Sequence, residues 1–95
     1  MTRDEILQVV AAHRDALHSL HVLELSLFGS HARDEASPNS DIDFLVELDQ
    51  KTFDAYMDLK EYLEVLFGQR IDLVMKSALK ERLRESILAE AVRAA

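Results

Sequence analysis

With 95 residues, no cysteine, and 18 acidic against 11 basic side chains for a net charge of −7, the chain has room for one domain and no means of forming disulfides or thiol chemistry. The acidity argues against a nucleic-acid partner, whose phosphate backbone is gripped by clustered Lys and Arg; the one basic concentration, Lys76, Lys80, Arg82 and Arg84, is interleaved with Glu81 and Glu85 and reads as a solvated helix face. The amino terminus lacks an apolar signal core and no run approaches membrane-spanning length, so a cytoplasmic protein with no membrane contact is expected.

Thr2 and Glu5 have the spacing of a capping box. Ile6, Val9, Val10, Leu17 and Leu20 then recur at helical intervals, predicting a first helix to about Ser19. Residues 22–28 have the apolar and β-branched content of a strand, ended by Gly29-Ser30. A short helical turn is expected over 31–35, then a loop over 36–40 with the only proline, Pro38. Ile42, Phe44, Val46 and Leu48 alternate with polar residues, predicting a strand over 41–48 with those four side chains buried.

A helix over about 52–67 would present Phe53, Tyr56, Met57, Leu59, Leu63 and Leu66, with Gly68 placed to end it. A strand over 70–75 follows. The last helix, over about 78–93, carries Leu79, Leu83, Ile87, Leu88, Ala91 and Val92, a stripe wide enough to cover a sheet; its end, 87–95, is the best candidate for a partner contact. The order of elements predicts one α/β (α+β) domain over residues 1–95, a small mixed sheet of about three strands packed with about four helices. The short connection between the first two strands makes them antiparallel.

Three stretches carry chemistry. Asp41 and Asp43, two apart on a strand, project to one face about 6.5–7 Å apart. Alone they read equally as metal ligands or as the solvated face of an amphipathic strand. Like charges so close resist ionising together, and a cation is the simplest way to keep both deprotonated. Mg²⁺, which takes a few carboxylate oxygens and completes its shell with phosphate and water, suits so open a site. Gly29-Ser30 alone is an ordinary turn. Following one strand and preceding Asp-x-Asp on the next, it is a place where glycine lets the backbone approach a phosphate and the Ser30 hydroxyl adds a donor. Asp72, on the polar side of the 70–75 strand, completes a triad if that strand lies beside the Asp41/Asp43 strand; otherwise it pairs with Arg70 or Arg33. His18 and His21 straddle a helix end with no further ligand at a recognisable spacing and read as surface residues. His31 reads equally as a nucleotide contact or as a solvent-facing or capping residue.

The runs Phe28-Gly29-Ser30-His31-Ala32-Arg33, Ser40-Asp41-Ile42-Asp43-Phe44-Leu45-Val46 and Arg70-Ile71-Asp72-Leu73-Val74 together resemble the DNA polymerase β-like nucleotidyltransferase superfamily. Within it the chain is most similar to the minimal nucleotidyltransferases, the MntA-type antitoxins of HEPN/MNT toxin–antitoxin modules, and the likeness covers nearly the whole chain. The resemblance implies that Gly29, Ser30, Arg33 and Ser40 contact the nucleotide, and that Asp41, Asp43 and Asp72 are catalytic acids holding two Mg²⁺ ions. It also implies ATP as substrate and transfer of AMP to a hydroxyl, a tyrosine's, of a cognate HEPN toxin. One residue departs from the family pattern: Asp34 stands where glycine is common, adding charge and removing flexibility beside the nucleotide. In so short a chain no acceptor-binding domain is expected beside the nucleotide site, and its acidity suits a basic partner surface. The alternatives are an antitoxin that neutralises by binding alone, with a vestigial site, and a nucleotidyltransferase acting on a small molecule.

Overall fold

The computed structural model describes residues 1–95. In chain order the elements are α1 (Arg3–Ala12), α2 (Arg14–Ser19), β1 (Val22–Phe28), α3 (Gly29–Ala32), β2 (Ile42–Leu48), α4 (Phe53–Phe67), β3 (Ile71–Met75), a 3₁₀ turn (Lys76–Ala78), α5 (Glu81–Glu90) and β4 (Val92–Arg93). The strands form one mixed sheet in the order β3-β2-β1-β4. β1 runs antiparallel to β2 and to β4, and β2 runs parallel to β3.

The alternation in β2 segregates as expected. Ile42, Phe44, Val46 and Leu48 are buried and join Leu25, Leu27, Ile71 and Leu73 of the neighbouring strands in one core. Ile6 and Val10 of α1, Leu17 of α2, and Ala55, Leu59 and Leu63 of α4 cover that face. Thr2 caps α1 by accepting the Glu5 N–H while the Glu5 carboxylate accepts the Thr2 N–H. Thr52 caps α4, and Gly68, at φ 65°, ends it in the left-handed conformation that glycine adopts without steric cost. The Tyr56 hydroxyl donates to the Leu73 carbonyl at 2.6 Å, tying α4 to β3.

Four expectations need correction. The first helix divides at His13, whose φ and ψ of −112° and 20° leave the helical region while its Nδ1 bonds the Val9 carbonyl oxygen at 2.8 Å. In α4 the buried side chains are Ala55, Leu59 and Leu63, whereas Phe53, at the first turn, is 74% exposed. The last helix stops at Glu90; Val92 and Arg93 pair with Leu27 and Ser26 as a fourth strand, and Ala94 enters the core. Residues 92–95 are therefore part of the sheet and its packing, bonded through Leu25 to Ala94 and Ala95. Finally, the stripe on α5 buries nothing completely: no residue of this helix is fully buried, and Leu83 and Leu88 are 47% and 38% exposed.

The second face of the sheet carries Ser26, Asp43, Leu45 and Asp72. Ser26 and Leu45 are buried there, and Leu45 stands outside the main core cluster.

Candidate active site

β1 delivers the first part of the site. Its extended backbone runs to Phe28, and Gly29, at φ 75°, turns the chain into α3. Only glycine fits. A Cβ here would overlap the Asp43 Oδ2 atom and lie 2.9 Å from Asp43 Cγ. The backbone of the turn thus touches the carboxylate of the next strand, an approach that any side chain would block.

Strand register supplies the acids. Phe28 pairs with Asp43, and Asp43 pairs in turn with Asp72 across the parallel β2/β3 ladder. Since paired strands lie about 4.8 Å apart, the end of β1, Asp43 and Asp72 form one row across three strands. Asp41 precedes β2 on the same end and is exposed, as is Asp72. Neither Arg70 nor Arg33 forms an ion pair with Asp72.

Asp43 is the perturbed member. Partial burial pushes its pKa up to about 6, and a hydrogen bond to Asp72 and the charges of Asp72, Asp41 and Glu90 push in the same direction. Acids so close that one resists ionising are chemically suited to a cation, which would relieve their repulsion. No three His, Asp or Glu side chains converge as a ready-made cage. The donor set of Asp41, Asp43 and Asp72 instead fits an ion such as Mg²⁺ that draws the rest of its shell from phosphate and water.

The remaining residues divide. Arg33, at the end of α3, donates to Glu35 at 3.1 Å and to Glu90 at 2.6 Å, contacts that hold its pKa above the ordinary arginine value. The Ser30 side chain makes no protein hydrogen bond, while its carbonyl accepts the Glu35 N–H at 2.9 Å. Ser40 has its hydroxyl 2.9 Å from that of Ser37 and accepting the Ser37 N–H, and its carbonyl accepts from Gln69 at 3.0 Å, so its polar groups close the loop before β2. His31 is buried rather than solvent-facing. Burial pushes its pKa down, and its Nδ1 has no partner. His21 pairs with Asp49 at 2.9 Å, separately from the exposed His18.

Asp34 explains its own departure from glycine. It sits at φ 55°, the left-handed region that glycine adopts without steric cost and that Asp tolerates better than most residues. Its carboxylate accepts the N–H of Arg3 at 3.0 Å, capping α1 from the far side of the site loop.

One residue of the site has no counterpart in the motifs. Glu90, the last residue of α5, accepts the Gly29 N–H through Oε1 at 3.2 Å and pairs with Arg33 through Oε2 at 2.6 Å. A sequence signal existed: Glu90 falls seven residues after Leu83 and three after Ile87, on the apolar stripe, where an acid is out of place unless it has partners.

Known proteins resemble this chain in sequence and fold. The family described as nucleotidyltransferase domain matches residues 10–94. The protein adenylyltransferase MntA of Thermococcus cleftensis is 40% identical over 94 residues, covering 97% of this chain and 95% of that protein. A solved structure described as a minimal nucleotidyltransferase superposes with a TM-score of 0.84 at 34% identity, covering 97% and 95% of the two chains. A complex of the tri-AMPylated Shewanella oneidensis HEPN toxin with its MNT antitoxin shares the fold, with a TM-score of 0.62 at 18% identity over 94% of this chain and 71% of that one.

Proposed function

The chain belongs to the nucleotidyltransferase domain family, in its minimal, MntA-type branch, and from that premise we propose that it is a Mg²⁺-dependent protein adenylyltransferase that moves AMP from ATP to a tyrosine hydroxyl of a HEPN-type toxin, neutralising it. The row formed by Gly29, Asp43 and Asp72 carries the reading. It unites a backbone turn that only glycine can make, a carboxylate whose ionisation is resisted by burial and by neighbouring acids, and an exposed acid one strand away.

In this reading Asp41, Asp43 and Asp72 would hold the metal, whose chemistry there would be charge neutralisation at the triphosphate and a lowered pKa of the acceptor hydroxyl. The Gly29 N–H and the Arg33 guanidinium bind phosphate oxygens, a pairing of amide and fork-shaped cation that suits such anions. The acceptor oxygen attacks the α-phosphorus, the bond to the β-phosphate oxygen breaks, and pyrophosphate leaves. The exposed Asp72 carboxylate is placed to take the hydroxyl proton. No covalent bond to the protein forms, and what the chain contributes is position and charge.

The partner provides the acceptor and its recognition. Names carried by relatives support this choice: one is a protein adenylyltransferase, and another is the antitoxin in a complex whose toxin bears AMP. The test is mass spectrometry of the cognate toxin after incubation with ATP, Mg²⁺ and this protein. Wild type should add one or more adenylyl groups to tyrosine, and the double variant Asp41→Asn, Asp43→Asn should lose at least about a hundredfold in transfer rate while still binding the toxin. A toxin neutralised without any gain in mass would sink the enzymatic reading in favour of neutralisation by binding alone.

A further inference from the structure

Resting on the nucleotidyltransferase reading, we infer that Glu90 is a built-in competitor for the triphosphate: its carboxylate occupies the phosphate-binding donors of Gly29 and Arg33, and ATP binds only when that carboxylate swings out.

Each oxygen of Glu90 takes one donor, the Gly29 amide at 3.2 Å and the Arg33 guanidinium at 2.6 Å. That is how a phosphate would use the same two groups: one oxygen on a backbone N–H and another on an arginine fork. The placement is costly in one respect. Glu90 brings a further negative charge to Asp43, which already faces Asp41 and Asp72. Like charges repel, so these two donors must be what hold the carboxylate there. A triphosphate arriving beside it would meet both the occupied donors and the added charge.

The element that carries Glu90 is suited to release it. α5 has no fully buried residue, its apolar side chains Leu83 and Leu88 are partly exposed, and its N-terminal capping position, Lys80, offers no side-chain bond to the helix. The helix ends immediately after Glu90, at Ala91, whose extended backbone leads into β4. Rotation of one side chain at a helix terminus therefore clears the site without disturbing the core on the opposite face of the sheet.

Two alternatives make opposite predictions. If Glu90 braced Arg33 and the Gly29 turn for the nucleotide, its removal would weaken binding. If it were a further metal-holding acid, its removal would weaken Mg²⁺ binding and, with it, ATP binding. A competitor predicts the reverse of both, since the apparent affinity is reduced by the fraction of molecules in which the donors are occupied.

The experiment is titration calorimetry of the isolated protein, without toxin, using Mg²⁺·ATP and, separately, inorganic tripolyphosphate, which lacks the base. Glu90→Ala should bind both about tenfold more tightly than wild type. Glu90→Gln, which keeps the size but loses the charge, should fall between the two, and thermal melts of each variant establish that it is folded. Unchanged or weaker binding by both variants overturns the inference, as does a failure of wild type and variants alike to bind either ligand. The two readings fail separately. Tighter triphosphate binding by Glu90→Ala without adenylylation of the toxin by any form would leave the competitor standing and remove the proposed reaction; normal adenylylation with unchanged affinities would do the opposite.

Discussion

The two faces of the sheet are built from the same strands and serve opposed ends. On one, Ile42, Phe44, Val46 and Leu48 lie under α1, α2 and α4 and are sealed from water. On the other, one residue along in the same β2 strand, Asp43 is held half-buried among acids beside the Gly29 turn and Glu90 of α5, a helix that buries none of its own side chains completely. A period of two converts adjacent residues into different environments. The first face gains its free energy from area removed from water. The second gives some of it up, because charges that repel one another are kept together for a ligand to neutralise.

The largest effect expected from breaking this contrast comes from the sealed face. Phe44, fully buried and 5.8 Å from the Phe67 ring, should cost about 3–5 kcal/mol when cut to alanine, whereas Leu83→Ala on α5 should cost less than about 1 kcal/mol. Urea unfolding of the two variants measures the gap, and equal losses would mean that α5 is as firmly packed as the core.

Next in size is the cost of the acids. Folding raises the Asp43 pKa from 3.8 to about 6, so the folded state holds the proton more tightly than the unfolded one. Its contribution to stability is complete below pH 3.8 and is lost as pH rises through about 6. Metal-free Asp43→Asn should therefore gain on wild type as pH rises from 4 to 7, by on the order of 1 kcal/mol after screening. Saturating Mg²⁺ should remove the advantage. Melting both proteins across that range, with and without the ion, checks the sign; a constant difference would leave Asp43 unperturbed.

Comparable in size is the effect at Asp34, outside both faces. Asp34→Ala loses the cap on Arg3 while keeping a left-handed backbone, and should cost about 1–2 kcal/mol. Asp34→Gly loses the same cap but relieves the backbone, so its net change should be within about 0.5 kcal/mol of zero. Thermal melts that ranked glycine no higher than alanine would show that relief of the left-handed backbone does not offset the chain entropy that glycine adds.

What was legible in the chain follows from how local each signal is. The alternation of apolar residues with Asp41 and Asp43 marks a half-buried strand without help from elsewhere, and Thr2, Thr52 and Gly68 mark helix ends through bonds made within a few residues. Asp72 was legible only conditionally, since its value depended on β3 lying parallel beside β2. The break at His13 was hidden because Leu17 continues the helical stripe of Ile6 and Val10 across it. β4 was hidden because two residues have no period, and because Ala91 and Val92 extend the apolar pattern of the helix before them. Glu90 escaped motif reading because its partners, Gly29 and Arg33, are 61 and 57 residues away. The deep position of His31, with an unpartnered Nδ1, has no local signal.

Short as it is, β4 governs how these molecules tolerate one another. The outer edge of β1 would otherwise offer unpaired amides and carbonyls to any passing strand, the usual start of sheet-to-sheet aggregation. Val92 and Arg93 take up Leu27 and Ser26, and the backbone of Leu25 is engaged by Ala94 and Ala95. At the opposite edge β3 shows Asp72, a charge that discourages docking by another strand. The residue proposed to serve the reaction thus also guards a border, so exchanging it for an apolar one would threaten solubility as well as catalysis.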